Sequence, residues 1–278
     1  MLYDSHIHIV GDQPSKEAFV THLTQAGVGG GILFSYPPHS FSGAFGSFLG
    51  ADRLTDLMEW AGCEAVAAAG KKIYPFYWID PLESDAADQV DRAVEAGVAG
   101  FKCICSYFYP NDDRAMKIWE RIAQYGKPLK FHSGILYSGG ASSQYNRPVL
   151  FEPLFAIPRL RFTISHISWP WCDECLAVYG KWRSNQVCGL TTAELFIDTT
   201  PGTPAIYREE ALYKIYNIGY DIENNITFGT DLRSEYNAEA ARNMFWRDRE
   251  ILDKLGVCQE SQQKYFSENV VRFVEGSD

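Results

Sequence analysis

Residues 2–10 read LYDSHIHIV, an apolar strand-like run that carries two histidines. His6 and His8 are two positions apart, and alternate residues of a strand project to the same face. Asp4 lies two positions earlier, so we expect it on that face as well. Two imidazoles directed at one point suit a divalent metal ion, although polar residues on a solvated strand face give the same pattern. The rest of the chain has to distinguish these two interpretations.

Runs of the same kind recur along the chain, and segments with helical periodicity separate them. Because parallel strands need crossover connections and closure removes exposed edges, these runs predict an α/β fold of the (β/α)8 TIM barrel type. An open doubly wound sheet is the alternative. We expect residues 1–278 to form a single domain, since such barrels often exceed about 200 residues. The eight runs are LYDSHIHIV (2–10), GGILFSY (30–36), IYPFYWID (73–80), VAGFKCI (98–104), PLKFHSG (128–134), RFTISHI (161–167), ELFIDT (194–199) and NITFGTD (225–231).

Helix boundaries are also visible in the sequence. Ser15 and Ser84 stand where an N-cap is expected. Gly27, Gly97 and Gly126 follow amphipathic stretches, where a residue in the left-handed conformation commonly ends a helix. These signals support helices between the strand-like runs.

Three segments outside the repeated units receive separate predictions. Residues 236–255 and 261–274 are predicted to be helices, the second packing across the lower end of the barrel or on its exterior. Residues 36–50 are rich in glycine, serine and aromatic residues and follow the second strand, so they are a candidate active-site lid.

Composition restricts the class of partner. The formal net charge is -10 and no dense Lys/Arg cluster is present, which argues against a nucleic acid or an anionic membrane surface. Small molecules are the expected partners. Seven scattered cysteines, no signal-like N-terminus and no apolar stretch long enough to span a membrane indicate a cytoplasmic protein with reduced thiols. The Cys172–Cys175 pair has no second pair beside it and is interpreted as ordinary helix cysteines.

Polar residues of metal-ligand or catalytic type stand at the ends of several other runs. In a barrel, the C-terminal strand ends open onto one mouth, where active sites are built. Four imidazoles and a carboxylate at such positions favour a metal site, because as core residues they would need partners to offset their burial. The residues are His6, His8, Lys102, His132, His166 and Asp231.

Ordered motifs along the whole chain resemble the amidohydrolase superfamily. The resemblance is closest to the amidohydrolase-2-type branch, which contains hydrolases, lactonases and non-oxidative decarboxylases related to aminocarboxymuconate semialdehyde decarboxylase. Asn269 and Arg272 occupy the usual places of a terminal helix motif. The motifs are DSHIH (4–8), AGFKC (99–103), FHSG (131–134), ISHIS (164–168), FGTD (228–231) and YFSENVVRF (265–273).

The resemblance implies a metal-dependent enzyme whose cofactor is Zn2+, with one ion favoured over two. His166 is then a ligand to a second ion or a residue that polarises the substrate. Asp231 would act as general base on a metal-activated water, and His166 would stabilise the developing oxyanion. The implied metal ligands are His6, His8, His132 and Asp231.

Lys102 has two interpretations within this superfamily. In binuclear members such a lysine is carboxylated and bridges two metals, whereas in the mononuclear branch it need not contact the metal. The chain also departs from the branch's GxKLHP pattern, because Ile104 stands where that pattern has histidine. A family-typical contact from the fourth strand is therefore not expected here.

The predicted reaction is hydrolysis of an amide, ester or lactone bond in a small carboxylated molecule. Decarboxylation or hydration on the same site is the alternative, although decarboxylases of the resorcylate type often replace the first histidine of the HxH pair with glutamate. A third hypothesis is a non-catalytic barrel used for binding, whose sign would be a missing ligand. The superfamily also suggests a homodimer.

Substrate-binding residues are predicted among the loops after the strands. Arg147 and Arg233 could hold a substrate carboxylate, or could equally form surface ion pairs. Trp169 and Trp171, with the aromatic residues at 107–109, could rim a pocket for a flat or cyclic substrate, or could pack as loop residues.

Overall fold

The computed structural model describes residues 1–9, 15–41, 52–137 and 141–276. Its centre is a sheet in which every pairing is parallel, in the order β8-β7-β6-β5-β4-β3-β2-β1-β9. Neighbouring strands are therefore consecutive in the chain, as repeated strand–helix units require. The strands are β1 (Leu2–His8), β2 (Val28–Phe34), β3 (Lys72–Trp78), β4 (Gly100–Cys103), β5 (Leu129–Phe131), β6 (Arg161–Ile164), β7 (Glu194–Asp198), β8 (Ile226–Thr227) and β9 (Leu232–Arg233).

The eighth predicted run contains β8, and a further short strand, β9, begins directly after it and closes the sheet. β8 pairs with β7, whereas β9 pairs with β1 through Ile7 and Leu232. Between them, the backbone N–H of Ser5 donates to the carbonyl oxygen of Phe228 at 3.0 Å. The prediction of a TIM barrel is thus confirmed, and the residues that interrupt the last strand include Asp231.

Helices follow most strands and cover the outside of the sheet. Between β5 and β6 the described residues form two 3-10 helices, Ser142–Tyr145 and Pro148–Ala156, and no α-helix. Pro153 lies in the second of these segments. In an α-helix it would lack the N–H donor, and its ring would clash with the preceding turn. The α-helices are α1 (Lys16–Gln25), α2 (Arg53–Ala61), α3 (Glu64–Ala68), α4 (Ala86–Glu95), α5 (Asp113–Gln124), α6 (Cys172–Val187), α7 (Ala205–Asn217), α8 (Ala238–Lys254), α9 (Gln259–Gln263) and α10 (Asn269–Glu275).

The predicted helix boundaries are largely confirmed. The Ser15 hydroxyl accepts from the backbone N–H of Ala18 at 3.2 Å, as an N-cap does. Gly27, Gly97 and Gly126 all have positive φ. The expectation for Ser84 was wrong, because α4 begins one residue later and Asp85 occupies the N-cap position.

The C-terminal segment closes the lower end of the barrel. Residues 264–268 form a π-helical turn between α9 and α10, so the predicted helix 261–274 is divided. In α10 the Phe273 ring lies 6.1 Å from Phe76 and 5.1 Å from Phe196, both inside the barrel. The Asn269 amide donates to the carbonyl of Ile226 at 2.7 Å and fixes the start of β8. Water is therefore excluded from this end by packed aromatic rings.

Three sequence expectations concern loops, thiols and membrane segments. The candidate lid, residues 36–50, falls mainly outside the described residues, which resume at residue 52. All seven cysteines are free thiols, including Cys172 and Cys175 in α6. In the part of the chain that the structure describes, no helix combines the length and apolar character that crossing a membrane demands.

A buried ion pair joins α7 and α8 to the end of β7. The Arg208 guanidinium donates to the Asp248 carboxylate, with Nε 3.0 Å from Oδ1, and also to the carbonyl of Thr199. Burial alone would raise the pKa of Asp248, but the charges of Arg208 and Arg247 lower it below its ordinary value. Both partners are almost completely shielded from solvent. Removing one would leave an uncompensated charge.

We predict that Arg208→Met lowers the free energy of unfolding by about 3 kcal/mol, because Arg247 retains only part of the ion pairing with Asp248. Chemical denaturation measures this loss. Lys254→Met is the matched control, since Lys254 and Glu209 join the same two helices by an exposed pair. That control should change stability by less than about 1 kcal/mol. Equal effects of the two substitutions would contradict the prediction.

Candidate active site

A cavity of about 210 Å3 opens at the C-terminal ends of the strands. Six residues predicted from the sequence as ligands or catalytic groups line it, and so does Trp169. Their strands lie far apart in the chain, and the barrel brings their ends to one rim. The six are His6, His8, Lys102, His132, His166 and Asp231.

Three of these side chains converge closely enough to share one metal ion. Ligand atoms of His6, His8 and Asp231 all lie within 4.8 Å of one another. Oδ1 of Asp231 is 3.3 Å from Nε2 of each histidine. Asp231 has φ 57°, in the left-handed region that costs a non-glycine residue energy, and this conformation occurs at the interruption between β8 and β9.

Asp4 does not join this group, contrary to the expectation from alternation. The register between β1 and β2 shifts between Asp4 and Ile7, as at a β-bulge, so simple alternation fails there. The Asp4 carboxylate accepts from the backbone N–H of Thr230 at 2.9 Å and from the Tyr236 hydroxyl at 2.8 Å. Burial raises the pKa of Asp4 to about 6 despite these hydrogen bonds. Asp4 therefore anchors the turn that presents Asp231.

His132 lies in the cavity but outside the convergent group of three. Its ring centroid is 4.8 Å from that of His166. Its Nε2 is 3.2 Å from the carbonyl oxygen of Ile135, an arrangement in which that nitrogen carries the proton. In this conformation Nδ1 is the ring nitrogen with a lone pair to offer.

A buried carboxylate beneath the cavity, Asp198, was not identified from the sequence. Its Oδ2 lies 2.6 Å from Nζ of Lys130 and 3.1 Å from Nδ1 of His6. Its Oδ1 accepts from the backbone N–H groups of His166 and Thr200, at 3.1 and 2.8 Å, and from the Thr200 hydroxyl. The available signal was its position at the end of the seventh run, in ELFIDT.

Asp198 fixes which nitrogen of His6 and of His166 carries the proton. Burial would raise the pKa of Asp198, but Lys130 and His6 keep it well below its usual range, so the carboxylate only accepts. Nδ1 of His6 must therefore donate to it. The single Thr200 hydroxyl proton goes to Asp198, so Nδ1 of His166, 2.9 Å away, donates to Thr200. Both rings then retain a lone pair on Nε2.

The charges of the cavity suit cation binding. Burial lowers the pKa of His6, His8 and His166, so each imidazole is neutral at neutral pH. Partial burial disfavours the charge of Asp231, whose side chain is 35% exposed, but the neighbouring histidines hold its pKa below the ordinary value. Burial and the charge of Lys130 lower the pKa of Lys102 to about 8. Neutral imidazoles beside an ionised carboxylate are the forms in which these groups bind metals.

The predicted substrate-binding residues separate into two groups. Trp169 lines the cavity and packs on Tyr207, with ring centroids 4.7 Å apart. Arg147 is not among the lining residues, because its guanidinium pairs with Glu174 and lies over the Trp171 ring. Arg233 is exposed in β9 and does not line the cavity either. Among the residues at 107–109, the Tyr107 hydroxyl donates to Asp80 at 2.6 Å.

Solved structures share this architecture at low sequence identity. A candidate 2-pyrone-4,6-dicarboxylic acid hydrolase from Acinetobacter baumannii, with citric acid bound, is 12% identical over 99% of both chains, with a TM-score of 0.63. Dihydroorotase from Campylobacter jejuni is 14% identical over 100% of this chain and 84% of its own, with a TM-score of 0.59. A zinc-bound amidohydrolase from Burkholderia ambifaria is 14% identical over 94% of this chain and 68% of its own, with a TM-score of 0.58. At these identities the likeness shows the fold.

The family is identified from the amino-acid sequence. Residues 3–274 match the Amidohydrolase family, which is nearly the whole chain. No match was found among curated protein sequences. A TIM barrel with histidines and an aspartate at its mouth is the architecture of a metal-dependent hydrolase class. This chain belongs to the Amidohydrolase family and is an enzyme of that superfamily.

We predict that Asp198→Asn weakens Zn2+ affinity by about 10–100-fold, the usual effect of losing a carboxylate that orients a ligating histidine. The amide cannot accept every donor that surrounds the carboxylate, so the His6 ring loses its fixed orientation. Competition with a chelator measures the affinity. Asp173→Asn, at an exposed position in α6, is the control. Because Lys130 also loses its counterion, thermal denaturation must first show that the variant is folded. Unchanged Zn2+ affinity in a folded variant would rule out the positioning role.

Proposed function

We propose that this protein is a metal-dependent hydrolase that cleaves an amide, ester or lactone bond in a small molecule. The observation that carries the proposal is the convergence of His6, His8 and Asp231 within 4.8 Å at the barrel mouth. Membership of the Amidohydrolase family supports the same chemistry. The sequence sign of a non-catalytic barrel, a missing ligand, does not occur.

The residues present fit one divalent ion. Nε2 of His6 and Nε2 of His8 both face Asp231, and Nδ1 of His6 is held by Asp198. A ligating histidine whose other nitrogen donates to a carboxylate is the usual arrangement around zinc. We propose Zn2+ as the ion, because imidazole and carboxylate ligands with an open position suit catalytic zinc. His132, which lines the same cavity, would supply a further ligand.

The protein groups supply the proton transfers and the binding of charge. A divalent ion held here would lower the pKa of a water molecule and polarise a substrate carbonyl. Asp231, ionised and beside both histidines, would accept the proton of the attacking water. It would return that proton to the leaving group as the tetrahedral intermediate collapses.

The hydrogen bonds of His166 and Lys102 support particular roles for these two residues. With its proton on Nδ1, neutral His166 presents an acceptor at Nε2 and cannot donate to an oxyanion. We propose that His166 binds metal or accepts a proton. Unmodified Lys102 has donors to offer, and its Nζ lies 3.4 Å from Nε2 of His6. Its ammonium group would stabilise the developing oxyanion.

Decarboxylation or hydration on the same residues is the second candidate function. The specific observation that favours hydrolysis is His6, the first residue of the HxH pair, which both faces Asp231 and donates to Asp198. Glutamate at this position, common among decarboxylases of the resorcylate type, could not donate to Asp198.

We predict about one zinc per chain in protein purified without chelator, measured by elemental mass spectrometry. His6→Ala and Asp231→Asn should lose or weaken the binding, because each removes one of three convergent ligands. His39→Ala, an exposed histidine outside the cavity, should retain the metal. Two ions per chain would instead indicate a carboxylated Lys102 that bridges a binuclear centre. No metal after supplementation with Zn2+ or Mn2+ would refute the hydrolase proposal.

A further inference from the structure

One wall of the cavity above the proposed metal site is apolar. Phe41, Ile104 and Leu136 belong to a small hydrophobic cluster that rests on Trp78, separate from the barrel core. The Phe41 ring lies 5.1 Å from Trp78. These three residues come from the loops after β2, β4 and β5, and Trp169 contributes from the loop after β6. Apolar surface therefore extends across four of the loops that surround the mouth.

Cationic side chains are scarce around the same cavity. Among its described lining residues, Lys102 is the only lysine or arginine, and it stands beside four histidines. The Arg147 guanidinium forms an ion pair with Glu174, and Arg233 does not line the cavity. The residues that the structure does not describe, 10–14, 42–51, 138–140 and 277–278, contain no lysine, arginine or histidine in the sequence. No undescribed segment of this chain can therefore add a cation to the wall.

Lys102 lies at the base of the cavity and not at its wall. Its Nζ is 3.4 Å from Nε2 of His6 and 5.0 Å above the Phe34 ring. A substrate carboxylate on the distant wall would meet Phe41, Ile104 and Leu136 without a counterion. Burying an unpaired carboxylate among apolar groups is costly.

We infer that the part of the substrate held by this wall is uncharged and apolar, such as an aryl or alkyl group of an ester, lactone or amide. The inference rests on the proposed hydrolase function and names its substrate class. It replaces the carboxylated substrate expected from the sequence, because the arginine expected at the cavity, Arg147, is bound to Glu174. The apolar wall supplies affinity because apolar substrate surface is removed from water there. The polar groups at the base of the cavity then bind the reacting carbonyl.

The test compares matched neutral and carboxylated esters on the zinc-loaded protein. The pair is phenyl acetate and 4-carboxyphenyl acetate, with each kcat/KM divided by the rate constant for hydrolysis of the same ester by hydroxide. We expect the normalised value to be at least about tenfold higher for phenyl acetate, which corresponds to about 1.4 kcal/mol. Leu136→Arg should reduce or reverse this preference, because it places a cation on the wall. Val187→Arg, which adds the same charge at an exposed position in α6, should leave the preference unchanged.

The outcomes separate this inference from the hydrolase proposal. Preferential hydrolysis of 4-carboxyphenyl acetate by the wild-type protein would overturn the inference and leave the hydrolase function intact. Hydrolysis of neither ester by zinc-loaded protein would count against the hydrolase function. In that case calorimetric binding of two uncleavable ketones, acetophenone and 4-acetylbenzoate, decides the inference. Tighter binding of acetophenone supports it, and tighter binding of 4-acetylbenzoate overturns it.

Discussion

The carboxylate of Asp198 is the group on which the arrangement of the site depends. It is completely buried, and the ammonium group of Lys130 at 2.6 Å offsets the cost of burying its charge. It accepts from the His6 ring and, through Thr200, controls the proton of His166. One ionised group thus determines which nitrogen two catalytic-site imidazoles present to the cavity.

This charge can be buried because the barrel separates apolar and polar layers. Below the site, Phe34, Phe76 and Phe273 form a continuous aromatic contact that closes the lower end. The His6 ring packs on Phe34 with centroids 4.7 Å apart, so His6 lies directly on this aromatic layer. The cavity that His6 lines opens at the C-terminal ends of the strands. The low dielectric below strengthens the hydrogen bonds that Asp198 accepts.

Above the site, the loops after the strands determine the specificity of the enzyme. Family membership follows from residues 3–274, whereas the three solved structures described above share the fold at only 12–14% identity. The walls around the mouth come from connections after the strands, which vary more freely than the strands themselves. Phe41, Ile104, Leu136 and Trp169 define this particular mouth. Specificity is therefore a property of loop packing, and the reaction class is a property of the strand ends.

The sequence by itself determined the barrel and most of the site's members, because strand periodicity is local and parallel strands end on one rim. On that basis His6, His8 and Asp231 could be placed at the same mouth, together with Lys102, His132 and His166. Tertiary structure decided what depends on contacts between distant residues. It removed Asp4 from the cavity by a bulge and paired Arg147 with Glu174. It also placed Asp198 under His6, although the two residues are 192 positions apart in the chain. No sequence pattern specifies such pairings, because side-chain partners are selected only once the barrel has closed.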